Sequence, residues 1–181
     1  MEWLLFTYWL PPEPSRKRVF VWRQLKKLGA LSLEGGGWLI SKTEPLSAKM
    51  TDVLQTVEEM EGTANLFTVT HFSEGQEKRI IARFRLEREQ EYAEIAKECH
   101  KTLRHIEREA QEEQFNLGEV EELEGDLGKI NRWFSDVRER DFWDIDARKN
   151  VEKLINEVET NLTAFTHRTY EKLQSSERNG P

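Results

Sequence analysis

The stretch WLLFTYWLPPEPSRKRVFVWRQLKKLGALSLEGGGWLIS, residues 3–41, decides the fold of the first half of the chain. Trp3 to Leu10 is a continuous apolar and aromatic run closed by Pro11 and Pro12, the pattern of a central strand buried on both faces. Ser15 is placed to cap a helix running to Leu28, with Gly29 as its stop. Ala30 to Thr43 then reads as two short strands around a glycine turn at Gly35–Gly37. Working outward, Ser47 is expected to cap a second helix to about Met60, ended by Gly62. ANLFTVTHF, residues 64–72, reads as a fourth strand. The order β-α-β-β-α-β predicts an α+β fold, a ferredoxin-like sandwich over residues 1–75 with two helices on one face of an antiparallel sheet.

Beyond residue 75 the pattern changes to helix. Apolar residues recur at Tyr92, Ala96, Cys99, Leu103, Ile106 and Ala110, then at Val120, Leu123, Leu127, Ile130, Phe134 and Val137, and again at Val151, Leu154, Val158, Leu162 and Phe165. Alternating steps of three and four are the heptad pattern of packed helices. With breaks at 116–118 and 142–146, they predict a three-helix antiparallel, coiled-coil-like extension over residues 76–181, ending in a frayed tail, SSERNGP. Of the formal charge of -7, residues 1–75 carry -1 and the remainder -6. A charged content of 34% against 37% apolar suits long solvated helices better than one compact globule.

One cysteine excludes an intramolecular disulfide and fits a reducing cytoplasm. MEWLLFTYWLPP lacks a basic leader and a small-residue cleavage site, so it reads as a strand and not as a signal peptide. No stretch approaches the ~18 apolar residues of a membrane span. The expectation is a soluble cytoplasmic protein with no membrane partner.

Against that acidic background, residues 16–27 hold Arg16, Lys17, Arg18, Arg23, Lys26 and Lys27 and no acid. On a helical wheel Arg16, Arg23 and Lys27 fall within ~40° of one another. Phe20 lies among them, while Val21, Leu25 and Leu28 occupy the opposite side with Trp22 on its margin. Cations at a helix start are locally unfavourable, a penalty that reverses when an anion docks there. Two readings stay open on composition alone: a solvated face paired with glutamates of the helical half, or a site for phosphate or another oxyanion. An exposed aromatic between arginines can stack on a base or fill a partner's pocket.

The run from Trp3 to Ser41, together with FRLEREQEYAEIAKE and KINRWFSDVRERDFW further on, resembles the chromate resistance protein ChrB family. The core of that likeness is P-S-x-x-R-V-x-V-W-R-x-L-x-x-L-G-A after a WLLF-type strand. The chain is also similar to the middle portion of PaaX-type repressors and, more remotely, to small CRISPR-associated ferredoxin-like nuclease subunits. The ChrB resemblance implies a non-enzymatic, chromate-responsive transcriptional regulator that binds promoter DNA of a chromate-efflux operon, with chromate as effector. It is expected to act as a homodimer or with a separately encoded partner subunit. Arg18 and Arg23 match the two arginines of the motif. With Arg16, Phe20 and Lys27 they form the expected DNA- or oxyanion-binding set. Family members often carry a further C-terminal domain, which leaves open a second reading: a sensor or interaction subunit without DNA affinity.

Other chemistry is poorly supplied. The nuclease relatives hold metal with an aspartate at the end of the first strand, but here no acid stands between Glu2 and Glu13. Cys99, His100 and His105 scatter around a helix at offsets of one and five, so no metal site or cofactor is expected, and Cys99 reads as core. A thiol that reduces or senses chromate is the sharper alternative for that residue. GGG at 35–37 joins two strands, so it is a turn and not a phosphate loop. RERDFW, 138–143, reads as a helix stop packing on the sandwich or as an extension of a nucleic-acid surface.

Overall fold

A computed structural model describes residues 2–178 of the chain, with side chains through 175. The fold is mixed α+β, with a four-stranded antiparallel sheet and five helices. Two compact units divide at Phe84/Arg85. Their elements in chain order are β1 (Trp3–Trp9), α1 (Ser15–Lys27), β2 (Leu31–Ser32), β3 (Gly37–Ser41), α2 (Glu44–Glu59), β4 (Thr63–Val69), α3 (Glu74–Gln111), α4 (Leu117–Arg138) and α5 (Asp146–Arg178). The change of pattern near residue 75 marks the start of α3, whose first turns belong to the first unit. Ser175–Arg178 continue α5 instead of fraying. The rest of the expected tail, 179–181, lies outside the described residues.

In the first unit the strand order is β2-β3-β1-β4, so β1 is paired on both edges, with Phe6 opposite Trp38 in β3 and Leu66 in β4. Alternation sends Leu4, Phe6 and Tyr8 to one face and Trp3, Leu5, Thr7 and Trp9 to the other. The first face is covered by α1, through Val21 and Leu25, and by α2, through Leu46, Met50, Val53 and Val57. On the second face Trp3 is fully buried: its indole stacks on Phe84 at 5.6 Å, meets Phe72 edge-on, and donates to Glu77 at 3.2 Å. Thus the opening turns of α3 seal one end of that face, while Trp9 at the other is 59% exposed and Phe67, opposite Leu5, is 50% exposed.

Three details of the helix ends differ from expectation. Pro14, not Ser15, occupies the cap position of α1, and no side chain caps it. Ser15 is already helical. The α2 cap is Thr43, whose hydroxyl accepts from the Leu46 N–H at 3.3 Å, while Pro45 sits in the first turn, where a missing N–H costs nothing. Ser47, expected to cap α2, instead donates back to the Thr43 carbonyl at 2.7 Å. Trp22 is 49% exposed and lies outside the buried side of α1, which Val21 and Leu25 make alone.

Gly62 turns the chain from α2 into β4. A Cβ there would stand 2.5 Å from the Trp9 carbonyl oxygen, 2.7 Å from a Leu10 methyl and 2.8 Å from a Val57 methyl. The glycine is required by close approach, right after Glu61 takes a left-handed conformation (φ 64°).

The second unit has one core. Tyr92, Ile95, Cys99 and Ile106 from α3 pack with Val120, Leu123, Ile130, Phe134 and Val137 from α4. Val151, Leu154, Ile155, Val158, Leu162 and Phe165 of α5 complete it. Asn116 caps α4, accepting from the Glu119 N–H at 3.0 Å. RERDFW ends α4 and, within this unit, bonds to α3 through Asp141 and Arg140. Asp141 accepts from the Tyr92 hydroxyl at 3.1 Å and from the Ile145 N–H at 3.1 Å. Arg140 reaches Glu91 at 2.9 Å, and the same carboxylate holds the buried Arg88 at 2.9 Å. Burial raises the Tyr92 hydroxyl pKa, and the Asp141 carboxylate adds to the rise. Burial likewise lowers the Arg88 pKa, against the pull of Glu91.

Two outcomes follow from this packing. Gly62→Ala should destabilise the chain by about 1–3 kcal/mol, read as a lower urea midpoint; an unchanged midpoint would mean the turn yields freely. Cys99 has no accessible surface, and burial pushes its thiol up to about 11, so it is neutral at pH 7–8. It should stay unlabelled by a thiol reagent in the folded protein and react fully in guanidinium. Rapid labelling of the native protein would instead restore the redox reading.

Candidate functional site: the basic first helix

The six cations of residues 16–27 do not form one site. Lys17 turns toward the end of α2, and its ammonium donates to the Met60 carbonyl oxygen at 3.0 Å. An unsatisfied carbonyl at the negative end of a helix is a natural partner for a lysine. Arg18, seven residues before Leu25, starts on the inward side of α1 and donates to the Pro12 carbonyl oxygen at 2.9 Å. It also lies near Tyr8, whose hydroxyl pKa is raised by burial and partly brought back by that guanidinium. Lys26 stands 5.9 Å above the Trp38 ring. These three tie α1 to the first unit.

The other cations lie along the outer side of the helix. Arg16, Phe20, Arg23 and Lys27 follow one another at spacings of four, three and four, which puts them in one stripe. Arg16 and Arg23 are exposed, and neither has an ion-pair partner among the described residues. Phe20 is 44% exposed between them, while Val19 and Trp22, 45% and 49% exposed, lie together on a neighbouring side of the helix. Of the five residues expected to bind DNA or an oxyanion, Arg16, Phe20, Arg23 and Lys27 therefore come together, and Arg18 is directed elsewhere. The two arginines of the sequence motif, five residues apart, point to different sides of the helix.

The start of α1 carries no acid in its first turn. An anion is nonetheless present: the Glu13 carboxylate, outside the helix, accepts the Ser15 N–H at 3.3 Å. At this end two of the groups expected to meet a docked anion already have partners within the chain. The amide is already paired, and the guanidinium of Arg18 faces a carbonyl. What the surface offers is a lateral strip of two unpaired guanidinium groups around an aromatic ring. It can bridge successive phosphates while the ring stacks or packs.

Sequence reasoning missed two clusters in the second unit. One is the arginine–carboxylate layer of Arg88, Glu91 and Arg140 with the Tyr92–Asp141 bond beside it. The other gathers His105 with Glu109 and Glu119. Of the three residues weighed for metal, Cys99 is buried in the core, His100 is exposed, and only His105 meets carboxylates. The one readable signal was the i,i+4 spacing of His105 and Glu109.

No helix among the described residues is long and apolar enough to cross a membrane. Comparison with curated proteins and with solved structures gave no match. A family model described as "Protein ChrB, N-terminal" matches residues 18–176, which takes in α1 from Arg18, the rest of the sheet, and the three long helices. Because that match spans nearly the whole chain, the protein belongs to the ChrB N-terminal family.

Proposed function

We propose that this chain is a cytoplasmic, chromate-responsive transcriptional regulator that meets DNA phosphate, or an oxyanion, along the outer side of α1. The observation that carries the reading is the stripe of Arg16, Phe20, Arg23 and Lys27, placed on an otherwise acidic molecule in a chain of the ChrB family. An overall charge of -7 disfavours indiscriminate contact with a polyanion and confines it to that patch. The succession β-α-β-β-α-β with strand order β2-β3-β1-β4 supports a ferredoxin-like assignment for the first unit. In this reading the sandwich presents the binding helix, and α3, α4 and α5 form the three-helix extension through which a second copy or a partner subunit is engaged. The role is binding, not catalysis. Arg18 serves it by positioning: its bond to the Pro12 carbonyl fixes the entry into α1.

The exposed apolar group Val19, Phe20 and Trp22 favours a second reading, in which α1 docks a protein partner of a chromate resistance system and has no DNA affinity. A gel shift with the operon promoter separates the two. In the DNA reading, Arg23→Ala weakens binding and lowers the slope of log K against log salt by about 0.9, one phosphate contact. An unchanged affinity and slope would remove Arg23 from the interface, and no shift with the wild-type chain would leave the partner-docking reading. Chromate, but not sulfate, should alter the shift. Equal responses to both would end the effector assignment.

A further inference from the structure

We propose that His105, Glu109 and Glu119 form a binding site for a divalent transition-metal ion of the zinc class, joining the end of α3 to the start of α4. His105 and Glu109 are one turn apart on α3 and project from the same face. Glu119 arrives from the first turn of α4. The His105 Nε2 lies 3.5 Å from Glu109 Oε1 and 3.4 Å from Glu119 Oε2, and all three ligand atoms fall within 4.8 Å of one another. Ligand atoms about 2.0–2.1 Å from a tetrahedral zinc stand roughly 3.3–3.4 Å apart, so two edges of the ligand triangle are already at coordinating length. The third can close through the Glu119 side chain, which keeps 29% of its surface exposed.

The surroundings hold these atoms in place. Glu109 is 6% exposed, an unusual burial for a carboxylate, and the Arg108 guanidinium supplies its first cationic partner. Arg108 donates to its Oε1 from Nε at 3.0 Å and Nη2 at 2.6 Å. That hydrogen bond raises the Arg108 pKa. Arg108 would remain as an outer partner orienting a metal-bound carboxylate. Glu119 is fixed by its own N–H, which donates to the Asn116 cap. The intervening turn is closed by the Gln114 N–H to the Glu109 carbonyl oxygen at 2.9 Å, with Glu113 left-handed (φ 57°). One imidazole with two carboxylates suits zinc, manganese or iron(II) over magnesium and calcium, which favour all-oxygen sites. Three protein ligands leave a fourth position, which the partial exposure of His105 opens to water. The competing arrangement is the His105 imidazole alone between the two carboxylates.

The deciding experiment is calorimetric titration of the chelator-stripped full chain with Zn²⁺, repeated with Co²⁺ for its visible spectrum and with Mg²⁺ as control. The site requires one saturable equivalent of Zn²⁺ and a Co²⁺ adduct with the intense absorption of tetrahedral coordination. Affinity should fall at least about 10–100-fold in His105→Ala and Glu119→Gln, the scale that outer-shell changes alone reach. His167→Ala should leave it unchanged; that exposed histidine faces Glu171 one turn on but has no third ligand in reach among the described residues. Glu119→Gln, a change at a partly exposed position, keeps the test decisive if His105→Ala does not fold. The absence of saturable Zn²⁺ binding would overturn the site in favour of the histidine-bridged carboxylates. Binding that survives both variants, or Mg²⁺ binding as tight as Zn²⁺, would overturn it as well.

Discussion

An indole buried without remainder must find a partner for its N–H, and Trp3 finds it in Glu77, with Phe84 stacked on its ring. This contact fastens the first strand to the opening turns of α3 at the same level where Trp3 is paired with Ser41 and Val69. With β1 hydrogen-bonded on both edges and sealed at this end, the chain leaves the sheet from a fixed point. Pro11 to Pro14 then set the entry into α1, and Arg18 and Lys17 hold it by two carbonyl bonds, one to the proline loop and one to the end of α2. The orientation of the basic stripe is thus inherited from the burial of one tryptophan several residues upstream.

The concentration of cations at a positive helix end has a divided explanation. Part of it is internal. Lys17 satisfies the last turn of α2, Arg18 the proline loop, and Lys26 stands over an aromatic ring. For Lys17 and Arg18, in the first turn, the local penalty is offset by carbonyl oxygens that would otherwise face water or nothing, whereas Lys26 lies in the last turn, where the helix dipole favours a cation. The remainder, Arg16 and Arg23 on either side of Phe20, has exposed guanidinium groups without an ion-pair partner among the described residues. Side chains that stabilise nothing within a chain are the ones whose presence asks for an external partner.

Much of this was legible in the sequence because a strand paired on both edges is rich in apolar residues. WLLFTYW, polar only at Thr7, is central as expected, although its second face is buried only at the Trp3 end, and the three- and four-residue steps of the long helices found most of their core. Ile95 and Ile155 escaped that count because a straight helix of 3.6 residues per turn buries a wider face than a strict heptad marks. The caps were misread for a local reason. Ser15 and Ser47 already lie inside their helices, and Pro14 and Thr43 have the extended backbone that a cap requires. Within the candidate site, helical periodicity separated Arg16, Arg23 and Lys27 from the core side correctly, and nothing in it indicated that Arg18 would turn to a carbonyl across a proline loop. The gathering of His105, Glu109 and Glu119 was out of reach for a related reason. The third member depends on how a five-residue turn folds back, and spacing along one helix carries no record of that.

Glu13 has a consequence for what α1 can recognise. Its carboxylate is tethered two residues from the amide it occupies, so its effective concentration there is on the order of millimolar or more. A dilute free anion competes at a disadvantage for that amide, however favourable the helix dipole. That one amide is in this sense occupied from within, whereas Arg16 and Arg23 along the flank face no tethered carboxylate among the described residues.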